Sequence, residues 1–154
     1  MIPKRIVIDT NVCLDLFVFH DPRWRLLMEA LCGGTLQAVT RPDCRREWQI
    51  VLGYSYLPID DATRPQMEQE FDALITCIDS PTTDTTPMRL PLCKDTDDQK
   101  FLELARDTNA SVLITKDKAL LKLNRKTVAA GLFSIMTPTA WLASNLNTIQ
   151  NLSN

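Results

Sequence analysis

The chain has 154 residues, of which 45% are hydrophobic and 23% charged. These values are ordinary for one globular domain and exclude a disordered, fibrous or disulfide-stapled protein. The formal net charge of -2 at pH 7 does not indicate a nucleic-acid binder, so any such role must rest on local patches.

Two further features bear on where the protein is found. The five cysteines are odd in number and lack C-x-x-C spacing, and most lie in apolar patterns, which favours buried thiols in a reducing compartment. No segment has the length and apolarity of a membrane span or a signal peptide. We therefore expect a cytoplasmic protein that makes no membrane contact.

The first predicted element is a buried strand, Arg5–Ile8, which runs directly into Asp9-Thr10-Asn11. A short apolar run with polar boundaries is typical of a parallel strand buried on both faces. Thr10 or Asn11 is expected to cap a helix over 12–19. Asp9 then lies at the carboxyl end of a strand, where open α/β sheets bind ligands. The alternative is that Asp9 only caps the helix.

A second helix is predicted over 23–32 and a second strand over 36–40. The next residues, 40–43, predict a helix start with a cap, an early proline and an early acid. In this third helix Glu47 lies between two apolar flanks, where a carboxylate is costly unless it meets a cation or water. The alternative is that Glu47 reaches solvent or pairs with a neighbouring arginine.

The middle of the chain is predicted as a loop over 54–61 and a helix over 62–77. Apolar residues at helical spacing form the core face of that helix: Met67, Phe71, Leu74, Ile75 and Ile78. Segment 80–94 is rich in proline and threonine and fits no element. A segment of this kind is either functional or a variable surface loop.

An acid-rich run, 94–105, starts the next predicted helix. Thr96 and Gln99 match a capping box. Acids in a first helical turn are favoured by the helix dipole, so helix-start chemistry alone explains Asp97 and Asp98. Asp97 and Asp98 become candidates for a functional site only because other acids of the chain are expected to lie near them.

The last part of the chain contains a buried strand over 111–115, followed by Asp117 in the same situation as Asp9. The elements predicted after it are a short helix over 118–123, a strand over 133–136, a final helix from 137 to 146 and a polar tail over 147–154. Residues 1–146 are thus expected to form a single domain. The alternation of strands and helices predicts a mainly parallel sheet with helices on both faces.

If the strands are parallel neighbours, four acids meet at one edge of the sheet: Asp9, Glu47, Asp98 and Asp117. Two carboxylates about 4 Å apart repel by about 4 kcal/mol at an effective dielectric near 20, so the site must take up protons or a cation. All-oxygen ligands favour Mg²⁺ or Mn²⁺ over zinc. The single histidine, His20 in a turn, offers neither a zinc cage nor a Ser-His-Asp site.

A hard metal with open water positions suits hydrolysis of a phosphodiester. Neither a P-loop nor a G-x-G-x-x-G loop is present, so a phosphate ester is expected as substrate and not a bound nucleotide cofactor. Five cations near the acids can contact a nucleic-acid backbone, although for any one of them a solvated position on a basic face is the favoured interpretation: Arg41, Arg45, Arg46, Lys116 and Lys118.

Four motifs together resemble the PIN domain family. They are Val7–Asn11, Glu47 in the third helix, the run 94–105 and Leu113–Asp117. The resemblance spans Ile6 to about Leu142. Within the family, the chain is similar to the toxin components of bacterial toxin–antitoxin systems, the VapC-type ribonucleases.

This resemblance implies a Rossmann-like three-layer sandwich with about five mainly parallel strands, and a Mg²⁺- or Mn²⁺-dependent endoribonuclease. The residues that match the family's catalytic, metal-binding acids are Asp9, Glu47, Asp98 and Asp117. Those that match supporting polar positions are Asn11 and Thr115, and those that can replace Asp98 as ligand are Asp95 and Asp97. The resemblance also implies RNA as substrate, a cognate antitoxin protein as partner and, in many members, a homodimer.

Two other functions stay open at this point. A PIN-like scaffold that binds RNA or a protein without cutting would have the same fold, although the four acids give no sign of a dead site. A phosphatase that uses a strand-end Asp as nucleophile usually needs a second acid two residues further on. This chain has Asn11 there, which counts against a phosphatase.

Overall fold

The structure is a computed structural model that describes residues 3–79 and 88–152, with side chains up to residue 145. Its strands are β1 (Lys4–Ile8), β2 (Leu36–Thr40), β3 (Ile75–Cys77), β4 (Val112–Ile114) and β5 (Ser134–Met136). Its helices are α1 (Thr10–Phe17), α2 (Arg25–Cys32), α3 (Pro42–Val51), α4 (Arg64–Leu74), α5 (Gln99–Asp107), α6 (Lys118–Leu121), α7 (Asn124–Ala129) and α8 (Pro138–Leu152). Short 3₁₀ turns cover Pro22–Trp24 and Thr96–Asp98.

The five strands form one parallel sheet in the order β3-β2-β1-β4-β5, as predicted for an α/β fold. The central strand is β1, in which Ile6 lies opposite Ala38 on one side and Val112 on the other. Because all strands are parallel, their carboxyl ends lie at one edge of the sheet. The turns that follow β1 and β4 therefore meet there.

Helices cover both faces of the sheet, which gives the predicted three layers. Successive strand residues point to opposite faces. Accordingly, Ile6 and Ile8 pack in one hydrophobic cluster with residues of α1, α2 and α4, whereas Val7 packs in another with residues of α5. Each face thus has its own core.

An aromatic cluster fixes α3 against its neighbours on the first face. The Trp48 ring stacks on Phe71 with ring centroids 5.1 Å apart, and Phe17 meets Trp48 edge-on at 6.0 Å. Such pairs contribute about 0.5–1.5 kcal/mol each beyond their buried area. Since these rings come from α1, α3 and α4, they bring Glu47 on α3 next to the first turn of α1.

The third strand was not predicted, because the helix expected over 62–77 ends at Leu74. Residues Ile75–Cys77 instead pair with β2, with Ala38 opposite Ile75. The apolar spacing of the helix runs on into Ile75 and Ile78, so helical periodicity and a short strand coincide there. This edge strand buries only Ile75, and its other two residues are exposed.

The helix starts differ from the predicted caps. Thr10 and Asn11 lie inside α1, which begins after Asp9, so neither of them can cap it. Thr40 ends β2, and Arg41 occupies the cap position of α3.

The capping box predicted from Thr96 and Gln99 is also wrong. The Asp95 side chain accepts the bond from the Asp97 N–H instead. The Gln99 side chain does not cap the helix, because its amide oxygen accepts from the Cys93 N–H at 2.7 Å and its amide nitrogen donates to the Pro91 carbonyl.

The C-terminal elements are longer than predicted. The helix predicted over 118–123 corresponds to α6, and a further helix that was not predicted, α7, follows it directly. The final helix continues past residue 146 to Leu152, into the stretch predicted as a tail. In the segment 80–94, residues 80–87 lie outside the described part of the chain. Its remainder has no regular structure, and Leu90 and Cys93 are buried against α5.

All five cysteines are free, but only three are buried: Cys13, Cys44 and Cys93. The expectation of buried thiols is therefore wrong for Cys32 and Cys77, which are exposed. In the described parts of the chain, no helix combines the length and apolarity needed to cross a bilayer.

Candidate active site

Asp9 lies directly after β1 and is buried, with 4% of its surface exposed. Its backbone N–H donates to the Ile114 carbonyl at 2.9 Å, which fixes it to the end of β4. Burial raises the pKa of Asp9 to about 6, although bonds from the Thr115 hydroxyl and the Thr10 backbone act against this. Asp9 is thus a carboxyl held where its charge is poorly solvated.

The Thr115 hydroxyl joins two of the acids. It donates to Oδ2 of Asp9 at 2.7 Å and accepts from the backbone N–H of Asp117 at 3.0 Å. Thr115 is completely buried, so neither bond competes with water. This single side chain therefore ties the acid after β1 to the acid after β4.

Glu47 projects from α3 toward the same edge and is partly exposed. It accepts from the Thr10 hydroxyl and, at 2.9 Å, from the ammonium group of Lys100. The Lys100 ammonium also donates to the Asp97 carbonyl at 2.8 Å. The cation that Glu47 meets is thus a lysine 53 residues away.

The predicted alternative of a neighbouring arginine is wrong, because the cation that pairs with Glu47 is Lys100, and Arg41 and Arg45 bind other acids. Arg45 binds Asp72 at 2.7 Å, and Arg41 binds Asp43 at 2.7 Å and Glu103 at 2.9 Å.

Asp98 and Asp117 are neighbouring carboxyls that affect each other's pKa. Burial, then a side-chain hydrogen bond with Asp117 and the nearby charge of Asp9, raise the pKa of Asp98 above its ordinary value. The same bond lowers the pKa of Asp117, whose Oδ1 also accepts from the Ala119 N–H at 2.9 Å and so caps α6. Two carboxyls that share a proton in this way place Asp98 as the protonated partner.

The other candidate residues lie at the rim of this cluster. Asp95 and Asp97 are exposed, and the Asp95 side chain is used to cap the turn that carries Asp98. Asn11 is exposed on the first turn of α1. The structure therefore pairs Asp98 with Asp117, and places Asp95 and Asp97 further out.

Four acids from separate parts of the chain thus share one edge of the sheet. The charges of Glu47 and Asp117 both raise the pKa of Asp9, and the charge of Asp9 raises that of Asp98, because the four carboxyls are near one another. Sequence reasoning missed Lys100 as a partner of Glu47. The one signal for it is that Lys100 lies one helical turn after Asp97 within the acid-rich run.

A family model of the PIN domain matches residues 5–119, a range that contains all four acids. The chain belongs to the PIN domain family. A search among curated proteins finds no significant match. PIN domains are in general nucleases and typically use divalent metals, so family membership supports a nuclease-type function.

We tested whether the acids of this PIN domain fit such a metal. Within residues 3–79 and 88–145, no three His, Cys, Asp or Glu side chains are close enough to enclose an ion. However, Mg²⁺ keeps several waters and is usually bound by one or two carboxylates. The neighbouring carboxylate oxygens of Asp98 and Asp117, with Asp9 beside them, have the donor chemistry for a hard cation of this kind.

Proposed function

We propose that this PIN domain protein is a metal-dependent endoribonuclease that hydrolyses RNA phosphodiester bonds. The observation that carries the proposal is the Asp98–Asp117 pair beside the buried Asp9. The charges of these carboxyls repel one another, and a divalent cation offsets that repulsion more fully than a shared proton does because it carries two positive charges.

Each residue of the site has a distinct task under this proposal. Asp9, Asp98 and Asp117 would hold Mg²⁺ or Mn²⁺, and Thr115 keeps Asp9 and the Asp117 backbone at a fixed separation. When bound, the ion polarises the phosphodiester and lowers the pKa of its water. Asp98 would serve as a ligand in its ionised form, because only a carboxylate oxygen without a proton is a good donor to a hard cation.

Glu47 has a different environment, because Lys100 already neutralises it. The Thr10 hydroxyl and the Lys100 ammonium fix both of its oxygens. Glu47 is thus oriented without a metal, and we assign it to positioning groups at the edge of the ion's site.

We further propose that the protein is the toxin of a type II toxin–antitoxin pair in the cytoplasm, with a cognate antitoxin as partner and a homodimer as its assembly. The resemblance of its motifs to VapC-type toxins supports this part of the proposal.

A non-catalytic PIN scaffold that binds RNA or a protein is the second candidate. One observation favours it, since in the described part of the chain no three-carboxylate cluster is closed around an ion position. A phosphatase is less well supported, because the residue two positions after Asp9 is the exposed amide of Asn11.

The test is cleavage of a 5′-labelled single-stranded RNA by the purified protein. We expect cleavage with Mg²⁺ or Mn²⁺, and its loss with EDTA and in Asp9→Asn. Asp72→Asn is the matched control, because it makes the same change at an ion pair outside the site, and it should cleave like the wild type. Binding without turnover would favour the scaffold, and a covalent phosphoaspartate would favour the phosphatase.

A further inference from the structure

Four exposed cations follow the candidate active site along the chain: Lys118, Lys122, Arg125 and Lys126. We call this set the basic face. Their spacing of i, i+4, i+7 and i+8 places them on one side of a helical path. The segment contains no acid between 118 and 129. It is therefore a surface of one charge sign.

The path through α6 and α7 is nearly continuous, which keeps the basic face intact. The Lys122 N–H donates to the Lys118 carbonyl at 3.1 Å, and the Thr127 N–H donates to the Leu123 carbonyl at 3.1 Å. Leu120, Leu123 and Thr127 are buried on the side that packs against the sheet. The cations accordingly occupy the side opposite the core.

In the described part of the chain, no acid forms an ion pair with the basic face. This contrasts with three of the cations that the sequence indicated for nucleic-acid contact. Arg41 and Arg45 pair with acids of their own, and Lys116 binds Asp15 at 2.7 Å. Those three are neutralised within the protein, whereas the basic face is not.

The charge of the basic face runs against that of the molecule. The chain has 17 basic and 19 acidic residues, so a surface with four cations and no acid is opposite in sign to the net charge. Like charges at i, i+4 destabilise a helix by about 0.2–0.5 kcal/mol per pair. A sequence with a surplus of acids could relieve this repulsion by one substitution, so the uncompensated cations point to an anionic ligand outside the chain.

The basic face begins at the candidate active site. Asp117 caps α6, and Lys118 is the next residue. From Lys118 to Lys126 the helical path extends about 12 Å, enough for more than one phosphate of a single strand. The basic face therefore forms a cationic track that leads away from the acids.

We propose that the basic face binds the phosphates of an RNA strand on one side of the bond that the active site cuts. Identification of this polyanion as the substrate rests on the proposed ribonuclease function. Lysines and arginines that contact phosphates hold a strand in register without reading its bases. The basic face thus supplies affinity and position, and not sequence specificity.

The test measures binding in EDTA, where no cleavage takes place. A fluorescein-labelled single-stranded RNA of about 16 nucleotides is titrated by anisotropy between about 50 and 200 mM KCl. Four phosphate contacts predict a slope of log K against log salt of about -2.8 for a single strand. Removing three contacts with Lys122→Gln, Arg125→Gln and Lys126→Gln should flatten the slope by about 2 and weaken binding at least about tenfold at the lowest salt.

The matched control changes net charge equally on other exposed surfaces, with Lys4→Gln, Arg25→Gln and Arg89→Gln. It should bind RNA like the wild type. Equal losses in the two triple variants, or no loss in the first, would overturn the proposal. So would binding of polyglutamate, but not RNA, through the basic face, since that result would identify an acidic protein as its ligand.

Cleavage separates this proposal from the ribonuclease itself. The triple variant of the basic face should raise KM about tenfold for the long RNA and leave kcat unchanged. It should have no effect on a dinucleotide substrate, whose single phosphate lies at the active site. If no form of the protein cleaves RNA, the ribonuclease proposal fails, while the binding experiment still decides the role of the basic face.

Discussion

The candidate active site has two halves that are held in different ways. The strand half, Asp9 and Thr115, is buried at the ends of β1 and β4 and depends on a bond between residues 106 positions apart. The helix half, Glu47, Asp98 and Asp117, is partly exposed, and its partners lie on helix starts. The strand half is therefore built into the fold, whereas the carboxyls of the helix half can gain or lose a proton when a ligand binds.

The strand half should make metal-free stability depend on pH. The pKa of Asp9 is about 6 in the folded protein against an ordinary value of 3.8 in the unfolded chain, so between these values the unfolded chain loses its proton first. Stability that is present below pH 3.8 is therefore lost as the pH rises through the folded pKa, by about 3 kcal/mol for this group. Urea unfolding in EDTA from pH 4 to 7 should show this loss in the wild type relative to Asp9→Asn. Parallel pH profiles for the two proteins would contradict the burial of Asp9.

Thr115→Val tests the link within the strand half. It leaves the Asp9 carboxyl and the Asp117 N–H without their buried partner, and we expect a loss of about 1–3 kcal/mol in the free energy of unfolding. Thr115→Ser should restore most of it because the hydroxyl remains. Thr127→Val is the matched control, a buried threonine whose hydroxyl bonds only to the Asn124 carbonyl. A loss no larger than that of the control would show that the link is unimportant.

The helix half should respond in the opposite direction. Asp98→Asn and Asp117→Asn relieve repulsion, so each should be neutral or stabilising by up to about 1 kcal/mol in metal-free buffer. An asparagine at position 117 keeps an oxygen for the Ala119 N–H. Both variants should gain less stability from added Mn²⁺ than the wild type. A large loss of stability with an unchanged Mn²⁺ response would identify these acids as structural caps.

Lys100→Met should have the smallest effect. Its ion pair with Glu47 is partly exposed, with 19% and 27% of the two side chains accessible, and such pairs contribute less than about 1 kcal/mol. The double variant Lys100→Met/Glu47→Gln should be no less stable than the single one, since it removes the unpaired charge. A loss above about 3 kcal/mol in the single variant would show that the Glu47 carboxylate is buried and built into the fold, like the strand half of the site.

Local patterns were sufficient for the strands that carry the chemistry. β1 and β4 are short apolar runs with an acid just beyond each, and parallel pairing alone then brings Asp9 and Asp117 to the same edge. β3 could not be predicted in this way. Ile75 continues the apolar spacing of α4, so the local sequence is compatible with a longer helix. Only the pairing of Ile75 with β2 makes this segment a strand.

The hydrogen-bond partners of the site residues could not be predicted from local sequence patterns. The local sequence predicts Thr10 as a possible helix cap, but the packing of α3 against α1 makes its hydroxyl a donor to Glu47. Lys100 meets the same carboxylate across 53 residues. Local spacing identifies which residue types can serve in such a site, whereas the tertiary packing of helices decides which of them touch.

The central position of β1 has a consequence for the order in which the carboxyl cluster forms during synthesis. Thr115 emerges from the ribosome 106 residues after Asp9, and Asp117 follows it. Until β4 pairs with β1, Asp9 lacks both the Thr115 hydroxyl and the neighbouring Asp117. The insertion of β4 beside β1 is therefore the folding step that completes the strand half of the site.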